Sequence, residues 1–183
     1  MKFIEQQIEG VWLIEPEPFR DDRGALRRHF CQKEFSDHGI TSDIAQGNIS
    51  ENINAYTLRG FHYQISPFEE SKTLSCYSGS LYDVVVDLRP ESSTFLKWVP
   101  LTIDAEKKQS IHVPSGCANA YLTLDINTCV HYYMSEFYHP GSYRGFRYND
   151  PFFNITWPRE PEMISEKDKG YSDFNPAVLE TSN

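Results

Sequence analysis

The chain has 183 residues, of which 26 are acidic and 17 are basic, so its formal net charge is −9. At about 150 residues per domain, this length predicts a single domain over residues 1–183, with no room for a separate cofactor domain. The acidic balance argues against a nucleic-acid partner, because general nucleic-acid binders present a basic face to the phosphates. A few arginines can still form a local pocket for an anionic small molecule.

The cysteines and the N-terminus indicate a cytoplasmic protein with no membrane partner. The N-terminus reaches Glu5 before an apolar run can form, and no later stretch approaches the ~20 apolar residues of a membrane span. The cysteines form no CxxC pair, a spacing that suits neither zinc nor a disulfide framework. We therefore expect free thiols in a reducing compartment at Cys31, Cys76, Cys117 and Cys129.

In chain order, the first predicted element is a helix of one or two turns over Lys33–His38. From Thr57 onward, short apolar or alternating runs recur between turn signals, which predicts an antiparallel barrel or sandwich. Glycine in the segments 78–80 and 114–116 predicts two hairpin-type reversals. The predicted strands are Leu58–Gln64, Lys72–Tyr77, Leu81–Leu88, Phe95–Ile103, Ser110–Val113, Ala120–Leu124 and Thr128–Ser135.

Two further segments have distinct patterns. In Leu81–Leu88, one face is apolar, while the other mixes Asp83 and Asp87 with aliphatic residues, so we expect that face to be half dry. After Trp157 the chain becomes charged and proline-rich, and residues 158–183 are expected to form loop and short helix on the surface.

Of the six histidines, His62 has the setting that best suits acid–base chemistry. Period-two alternation places it on one face with Leu58, Gly60 and Gln64, and the glycine is expected to leave room for a ligand. No HxH pair, a frequent metal-binding arrangement in small β-barrels, occurs in the chain, so we expect no metal site. Solvated or packing roles are expected for the others, which are His29, His38, His112, His131 and His139.

Several ordered motifs resemble the dTDP-4-dehydrorhamnose 3,5-epimerase family along nearly the whole chain. They are residues 19–24, 46–48, 59–64, 83–89, 149–151, 155–158 and 165–168. The resemblance implies a cupin-type jelly-roll β-barrel with a few short helices, which needs no metal and no cofactor. It also implies a homodimer that acts on a nucleotide-diphosphate-linked 4-keto-6-deoxy sugar in deoxysugar biosynthesis. Residues 1–15 would fit an N-terminal strand exchanged between subunits.

The resemblance also implies residue roles. His62 would be the general base, Asp168 its partner from the tail, Tyr132 the acid on the opposite face, and Lys72 the cation at the keto oxygen. These roles fit the chemistry, because a proton beside a ketone is lost only with a placed base and a stabilised enolate oxygen. The implied substrate-binding residues are Arg23, Gln46, Asn48, Arg59, Asn119, Tyr138 and Lys167.

Three positions depart from the family pattern. Asn119 stands where a substrate-binding histidine is usual, while Arg28 and Tyr143 stand where glutamate is usual. These changes leave open an epimerase that inverts C3, C5 or both, and a single-centre enzyme that acts on a non-thymidine nucleotide sugar. The same residues would also fit a keto-sugar isomerase, or a carbohydrate-binding barrel without catalysis.

Overall fold

The computed structural model describes residues 1–180, and most of its regular structure is β-strand. The first seven strands are β1 (Lys2–Glu5), β2 (Trp12–Glu15), β3 (Phe19–Asp21), β4 (Gly24–Leu26), β5 (Gln46–Asn52), β6 (Thr57–Gln64) and β7 (Lys72–Ser78). The others are β8 (Ser80–Asp87), β9 (Trp98–Asp104), β10 (Ser110–Val113), β11 (Cys117–Thr123), β12 (Thr128–Met134), β13 (Tyr143–Gly145) and β14 (Met163–Ile164). The helices are α1 (Gln32–Ser36), α2 (Glu166–Lys169) and α3 (Ala177–Glu180).

The strands form two antiparallel sheets and a separate hairpin. Sheet 1 has the order β1-β2-β10-β7-β12-β5. Sheet 2 has the order β13-β6-β11-β8-β9, and β14 pairs in parallel with β6. Strands β3 and β4 pair with each other as a two-stranded sheet. In this chain β1 pairs with β2, so the N-terminal strand has a partner within its own subunit.

A hydrophobic core lies between the two sheets. Sheet 1 contributes Leu74, Ile111 and Val130, and sheet 2 contributes Leu81 and Val85, all at most 2% exposed. Because side chains alternate along a strand, polar residues two positions from these core residues also point between the sheets. The space between the sheets therefore holds polar side chains beside its apolar core.

A second apolar cluster covers the outer face of sheet 2. Phe61 and Val84 point outward there and pack with Phe146, Phe153 and Phe174 from the C-terminal part of the chain. The charged tail is loop and short helix, as expected, but it is not confined to the surface. Its aromatic side chain at position 174 anchors it against the sheet, which brings α2 alongside β6.

All seven predicted strands and the predicted helix are present, with ends shifted by up to three residues. β9 begins only at Trp98, because a turn that includes Leu96 at positive φ precedes it. β11 begins early, at Cys117, because its first residues pair with β8. β5 went unpredicted, since Gln46–Asn52 is polar on both faces and has no alternating hydrophobic pattern.

The two glycine reversals differ from the hairpins that the sequence predicts. Gly79 and Gly116 both have positive φ, as expected. However, Gly79 lies between β7 and β8, and Gly116 lies between β10 and β11, so each reversal carries the chain from sheet 1 to sheet 2. Across residues 1–180, no helix is long and apolar enough to cross a membrane.

Asp87, at the end of β8, organises the connection to β9. Its carboxylate is fully buried and accepts hydrogen bonds from Arg89, Ser92 and Thr94. Burial alone would raise the pKa of Asp87, but these hydrogen bonds outweigh it and lower the pKa to about 2. The prediction that this face of the strand is only half buried is therefore wrong at Asp87, because its carboxylate is fully buried and hydrogen-bonded.

We expect Asp87→Asn to lower the free energy of unfolding by about 2–4 kcal/mol near pH 7, since it removes a buried, charge-assisted network. Because the folded-state pKa is depressed, this contribution is present above pH 4 and is lost as the pH falls toward 2. Urea unfolding at pH 7 and pH 3 measures both effects. Exposed Asp22→Asn is the control, and equal stability of Asp87→Asn and the parent at pH 7 would contradict the assignment.

Candidate active site

A β-bulge in β6 positions the site. Asn119 pairs with His62 and Tyr121 pairs with Arg59, so three steps on β6 match two on β11. The extra residue brings Arg59 and His62 to one side of the sheet, facing between the sheets. Strict alternation predicted that Leu58 shares a face with His62, and the bulge makes that prediction wrong.

Gly60 is required by this bulge rather than by ligand access. It has φ of +118°, and a Cβ atom there would lie 2.5 Å from the Cβ atom of Ala120 and 2.6 Å from the carbonyl oxygen of Asn119. The sequence predicts that this glycine leaves room for a ligand, whereas the structure shows that it leaves room for the neighbouring strand β11. The absent side chain allows the backbones of β6 and β11 to approach.

His62 and Asp168 form a hydrogen-bonded pair. The Nε2 atom of His62 lies 2.7 Å from Oδ1 of Asp168, and the aspartate is only 6% exposed. Ser165 caps α2 by accepting a hydrogen bond from the Asp168 backbone N–H, which fixes the start of the helix. The Gly60 N–H donates to the second carboxylate oxygen at 3.5 Å. The tail therefore supplies the histidine's partner, as the sequence resemblance implies.

The environment favours a neutral imidazole beside a carboxylate. Burial lowers the pKa of His62, and Asp168 opposes this without cancelling it. Burial raises the pKa of Asp168, but the hydrogen bond and charge of His62 and the hydrogen bonds from Gly60 and Ser165 together outweigh it, so the net pKa is below the usual value. A carboxylate can only accept, so Nε2 of His62 carries the proton. Its Nδ1 atom keeps a lone pair that can take up a proton.

Lys72 lies opposite, at the start of β7 in sheet 1. It is 9% exposed, and its Nζ atom forms an ion pair with Glu70 at 2.9 Å. It also donates to the carbonyl oxygen of His62 at 3.2 Å and to Oδ1 of Asn119 at 3.5 Å. The ammonium therefore reaches across to sheet 2, next to the His62–Asp168 pair.

Asn119 links Lys72 to a second buried carboxyl. Its Nδ2 atom donates to Oδ1 of Asp83 at 3.1 Å. Asp83 is fully buried, and burial raises its pKa to about 7 although Asn119 and Lys72 act in the opposite direction. The prediction of a half-buried face is therefore also wrong at Asp83, the second carboxylate on β8. The amide of Asn119 is oriented by these two neighbours, with its oxygen toward the ammonium.

Tyr132 faces the same space from β12 of sheet 1. It packs against the core between the sheets and remains partly exposed. Burial raises the pKa of its phenol, the Arg59 guanidinium lowers it, and Glu70 raises it further. The phenol therefore keeps its proton at neutral pH. His62 and Tyr132 come from opposite sheets, which places a base and an acid on two sides of one space.

The adjacent β5 presents two of the predicted binding residues. Asn48 pairs with Tyr132 across the β5–β12 ladder, and Gln46 pairs with Met134. The side-chain oxygen of Gln46 accepts the backbone N–H of Tyr138 at 3.0 Å, which holds the loop after β12. Arg59 donates from Nε to Asn52 at 2.8 Å and so connects the two sheets.

Aromatic rings form the rim of the site. The Tyr143 ring lies 5.1 Å from the His62 ring and 5.1 Å from the Tyr138 ring. Lys167 lies over the Tyr143 ring at 4.3 Å, and the Tyr171 ring is 6.1 Å from that of His62. Burial raises the pKa of Tyr143 and raises that of Tyr171 to about 12. Tyr143, to which the sequence assigned no role, thus lies in the centre of the rim.

The structure does not bring Arg23 to this site within its own chain. Arg23 lies in the turn between β3 and β4, its side chain is 90% exposed, and it forms an ion pair with Asp21. Arg28 forms an ion pair with Glu34 at 2.6 Å on the surface. Among residues 1–180, no group of three or more His, Cys, Asp and Glu side chains is arranged to hold a metal ion.

The sequence analysis assigned no site role to four residues at or next to the site: Glu70, Asp83, Tyr143 and Tyr171. Glu70 and Asp83 lie two and eleven positions along the chain from Lys72, and no local pattern distinguishes Glu70 from a surface carboxylate. Asp83 did have a sequence signal, because it interrupts a run of aliphatic residues in a predicted strand.

Comparison with known proteins identifies the family. The family described as dTDP-4-dehydrorhamnose 3,5-epimerase matches residues 5–175. The dTDP-4-dehydrorhamnose 3,5-epimerase of Escherichia coli strain K12 is 36% identical over 172 residues, which cover 92% of each chain. This chain belongs to the dTDP-4-dehydrorhamnose 3,5-epimerase family. The sequence-based expectation of an epimerase of nucleotide-linked keto-deoxysugars is confirmed at the level of the family.

Solved structures of family members confirm the cupin-type fold. The dTDP-6-deoxy-D-glucose-3,5-epimerase of Legionella pneumophila, in complex with dTDP-4-keto-L-rhamnose, has a TM-score of 0.89 and 32% identity. That match covers 97% of this chain and 96% of the other. A 3'-monoepimerase from Streptomyces bikiniensis, in complex with dTDP-quinovose, has a TM-score of 0.85 and 30% identity over 96% and 88% of the two chains.

We expect Asp83→Asn to raise the free energy of unfolding by about 2–4 kcal/mol at pH 8 and to change it little at pH 4. The folded-state pKa is raised, so the parent loses stability as the pH rises from about 4 to 7, and the asparagine variant does not. Urea unfolding at both pH values measures the difference. Exposed Asp43→Asn is the control, and a pH-independent difference would refute the assignment.

Proposed function

We propose that this protein epimerises a nucleotide-diphosphate-linked 4-keto-6-deoxy sugar by removing and returning a proton beside the ketone. The observation that carries the proposal is the His62–Asp168 pair at 2.7 Å, which faces Tyr132 from the opposite sheet. Two relatives are in complex with dTDP-4-keto-L-rhamnose and dTDP-quinovose, which supports a substrate of this class. A single domain would carry the whole reaction.

The first step would be proton removal by His62. Its Nδ1 lone pair takes the proton from the carbon beside the ketone, and the carboxylate of Asp168 stabilises the imidazolium that forms. The electrons move to the keto oxygen, where the buried ammonium of Lys72 offsets the developing negative charge. A fixed cation in a buried site stabilises a nearby negative charge more than a cation in water does, because the solvent does not screen it.

The second step would be proton return on the opposite face by Tyr132. Its raised pKa keeps the phenol protonated until the enolate needs a proton. Inversion follows because the base and the acid lie on different sides of the sugar. The phenolate and the imidazolium then exchange protons with solvent, which resets the site.

The remaining predicted residues would bind the rest of the substrate. Arg59 would hold the diphosphate, because a guanidinium matches phosphate geometry. Gln46 and Asn48 would contact the nucleotide, and Tyr138, 46% exposed at the rim, would stack on the base. Lys167 would add positive charge at the same rim.

Single-centre inversion is the second candidate function. The Streptomyces bikiniensis relative is a 3'-monoepimerase, so the family includes enzymes that invert one centre. Asn119 favours this candidate. Its amide is oriented by Asp83 and Lys72, and unlike the usual histidine it cannot carry a positive charge that would stabilise an enolate at a second carbon. Label at one or both carbons beside the ketone distinguishes the two candidates.

We expect His62→Asn to reduce deuterium uptake from D2O into a dTDP-linked 4-keto-6-deoxy sugar by roughly 10²–10⁴-fold, since the base is lost. Tyr132→Phe should keep proton removal and lose product with inverted configuration. NMR of the sugar measures both quantities in one sample. Matched controls are His38→Asn and Tyr77→Phe, which change the same groups outside the site. Unchanged exchange in His62→Asn, or equal loss of exchange and inversion in Tyr132→Phe, would contradict these roles.

We also propose a homodimer in which each subunit supplies Arg23 to the other subunit's site. Arg23 is implied as a diphosphate ligand, yet its hairpin pairs with neither large sheet, and the Arg23 side chain is 90% exposed. The same hairpin exposes two large apolar side chains, Phe19 at 76% and Leu26 at 77%. Exposed apolar residues next to a functional arginine favour a surface covered by a second copy.

Mixing two inactive variants tests this arrangement. If Arg23 acts across the interface, a mixture of Arg23→Ala and His62→Asn chains, unfolded and refolded together, should recover about a quarter of the parent's activity, because half of the dimers hold one complete site. Each variant refolded alone is the control. No recovery, with dimers verified by light scattering, would place Arg23 in its own subunit's site or outside any site.

We propose the cytoplasm as the compartment. The four cysteines are all free, which supports a reducing environment.

A further inference from the structure

Glu70 is a buried carboxylate beside the site, and neither the sequence nor the proposed mechanism gives it a role. The residue is 4% exposed and lies two positions before Lys72. Its Oε1 atom is 2.9 Å from the Nζ atom of Lys72. Within residues 1–180, neither of its carboxylate oxygens has a hydrogen-bond partner, so the ion pair with Lys72 is the polar contact that this carboxylate makes. An unpaired buried carboxylate is strongly unfavourable, so the ammonium is what compensates this one.

The ion pair also orders the lysine. A lysine ammonium has three donors on a flexible four-carbon chain. Here Glu70 lies on one side of it, the carbonyl oxygen of His62 on a second, and Oδ1 of Asn119 on a third. Contacts with the carbonyl and the amide are longer and uncharged, so the carboxylate is the strongest of the three anchors.

The charge balance identifies Glu70 as the counter-ion. Two buried carboxyls, Glu70 and Asp83, lie near one buried ammonium. Glu70 contacts that ammonium directly, whereas Asp83 reaches it through the neutral amide of Asn119. One cation cannot neutralise both carboxyls, and Asp83 is the one that burial favours in its protonated form.

We propose that Glu70 is a positioning residue, which holds the Lys72 ammonium at the place where the sugar's keto oxygen gains negative charge. This inference rests on the proposed function, because the oxygen that Lys72 meets is defined by that reaction. Without the Glu70 charge, the ammonium would lose its strongest anchor, and the carbonyl oxygen of His62 and the amide of Asn119 would be its remaining contacts. The enolate would then form without its nearest cation.

A double-mutant cycle on Glu70 and Lys72 tests the proposal. Glu70→Gln keeps the side-chain shape and removes the charge, and Lys72→Met does the same for the lysine. We expect Glu70→Gln to lower kcat for deuterium uptake by about 10–100-fold with KM changed less than about threefold, because the interaction acts as charge develops. In the Lys72→Met background, Glu70→Gln should change the rate less than about twofold.

Glu69→Gln is the matched control, because it makes the same change one residue away on the surface. The proposal is overturned if Glu70→Gln slows the reaction equally in both backgrounds, which indicates a role separate from Lys72. It is also overturned if Glu70→Gln reacts at the parent's rate.

Thermal unfolding of the same four proteins provides a measurement that needs no substrate. Lys72→Met strands a buried carboxylate, so it should lower the melting temperature, and adding Glu70→Gln should recover most of the loss. Equal melting of Lys72→Met and the double variant would overturn the ion pair and the proposal with it. If the parent takes up no deuterium, the proposed function fails, and the melting cycle still decides whether Glu70 is the counter-ion that holds Lys72.

Discussion

The site depends on the close approach of β6 and β11 at Gly60. A Cβ atom at this position would lie 2.5 Å from the Cβ atom of Ala120, a distance that packed carbon atoms do not adopt. The absent side chain allows a bulge, and the bulge turns Arg59 and His62 to the same side of the sheet. It also leaves the Gly60 N–H directed at Asp168. One missing side chain therefore sets the face of the base and the direction of a binding arginine, and it leaves a backbone donor for the carboxylate of the tail.

The second constraint is the burial of charge in the space between the sheets. Strands β7 and β8, the loop before β7 and the tail place Lys72, Asp83, Glu70 and Asp168 there, each at most 9% exposed. Each has a distinct partner: His62 for Asp168, Asn119 for Asp83, and the ammonium of Lys72 for Glu70. Such pairing compensates the cost of removing these charges from water, and it fixes the positions of the groups that take part in the reaction.

Sequence patterns predicted much of this protein because local signals were strong. The runs around Val84, Ile111 and Val130 alternate as half-buried strands do, and all three became strands. The motif around His62 and the short segment ending at Asp168 indicated the family, its general base and the carboxylate that pairs with that base. The polar β5 and the start of β9 were harder to predict, since neither hydrophobic period nor propensity marks them. Strict alternation failed at Gly60, where a bulge adds a residue.

The sequence by itself determined the all-β class, the family, and the chemical types of the residues that do the work. Those follow from local periodicity and from motif order, which are properties of neighbours in the chain. Only the tertiary structure decided that Asp168 reaches a histidine 106 positions away, that Glu70 and Asp83 are buried beside Lys72, and that Arg23 lies apart from its own chain's site. Burial and pairing are properties of residues that meet across two sheets, and charged residues look alike in a sequence until packing removes their water.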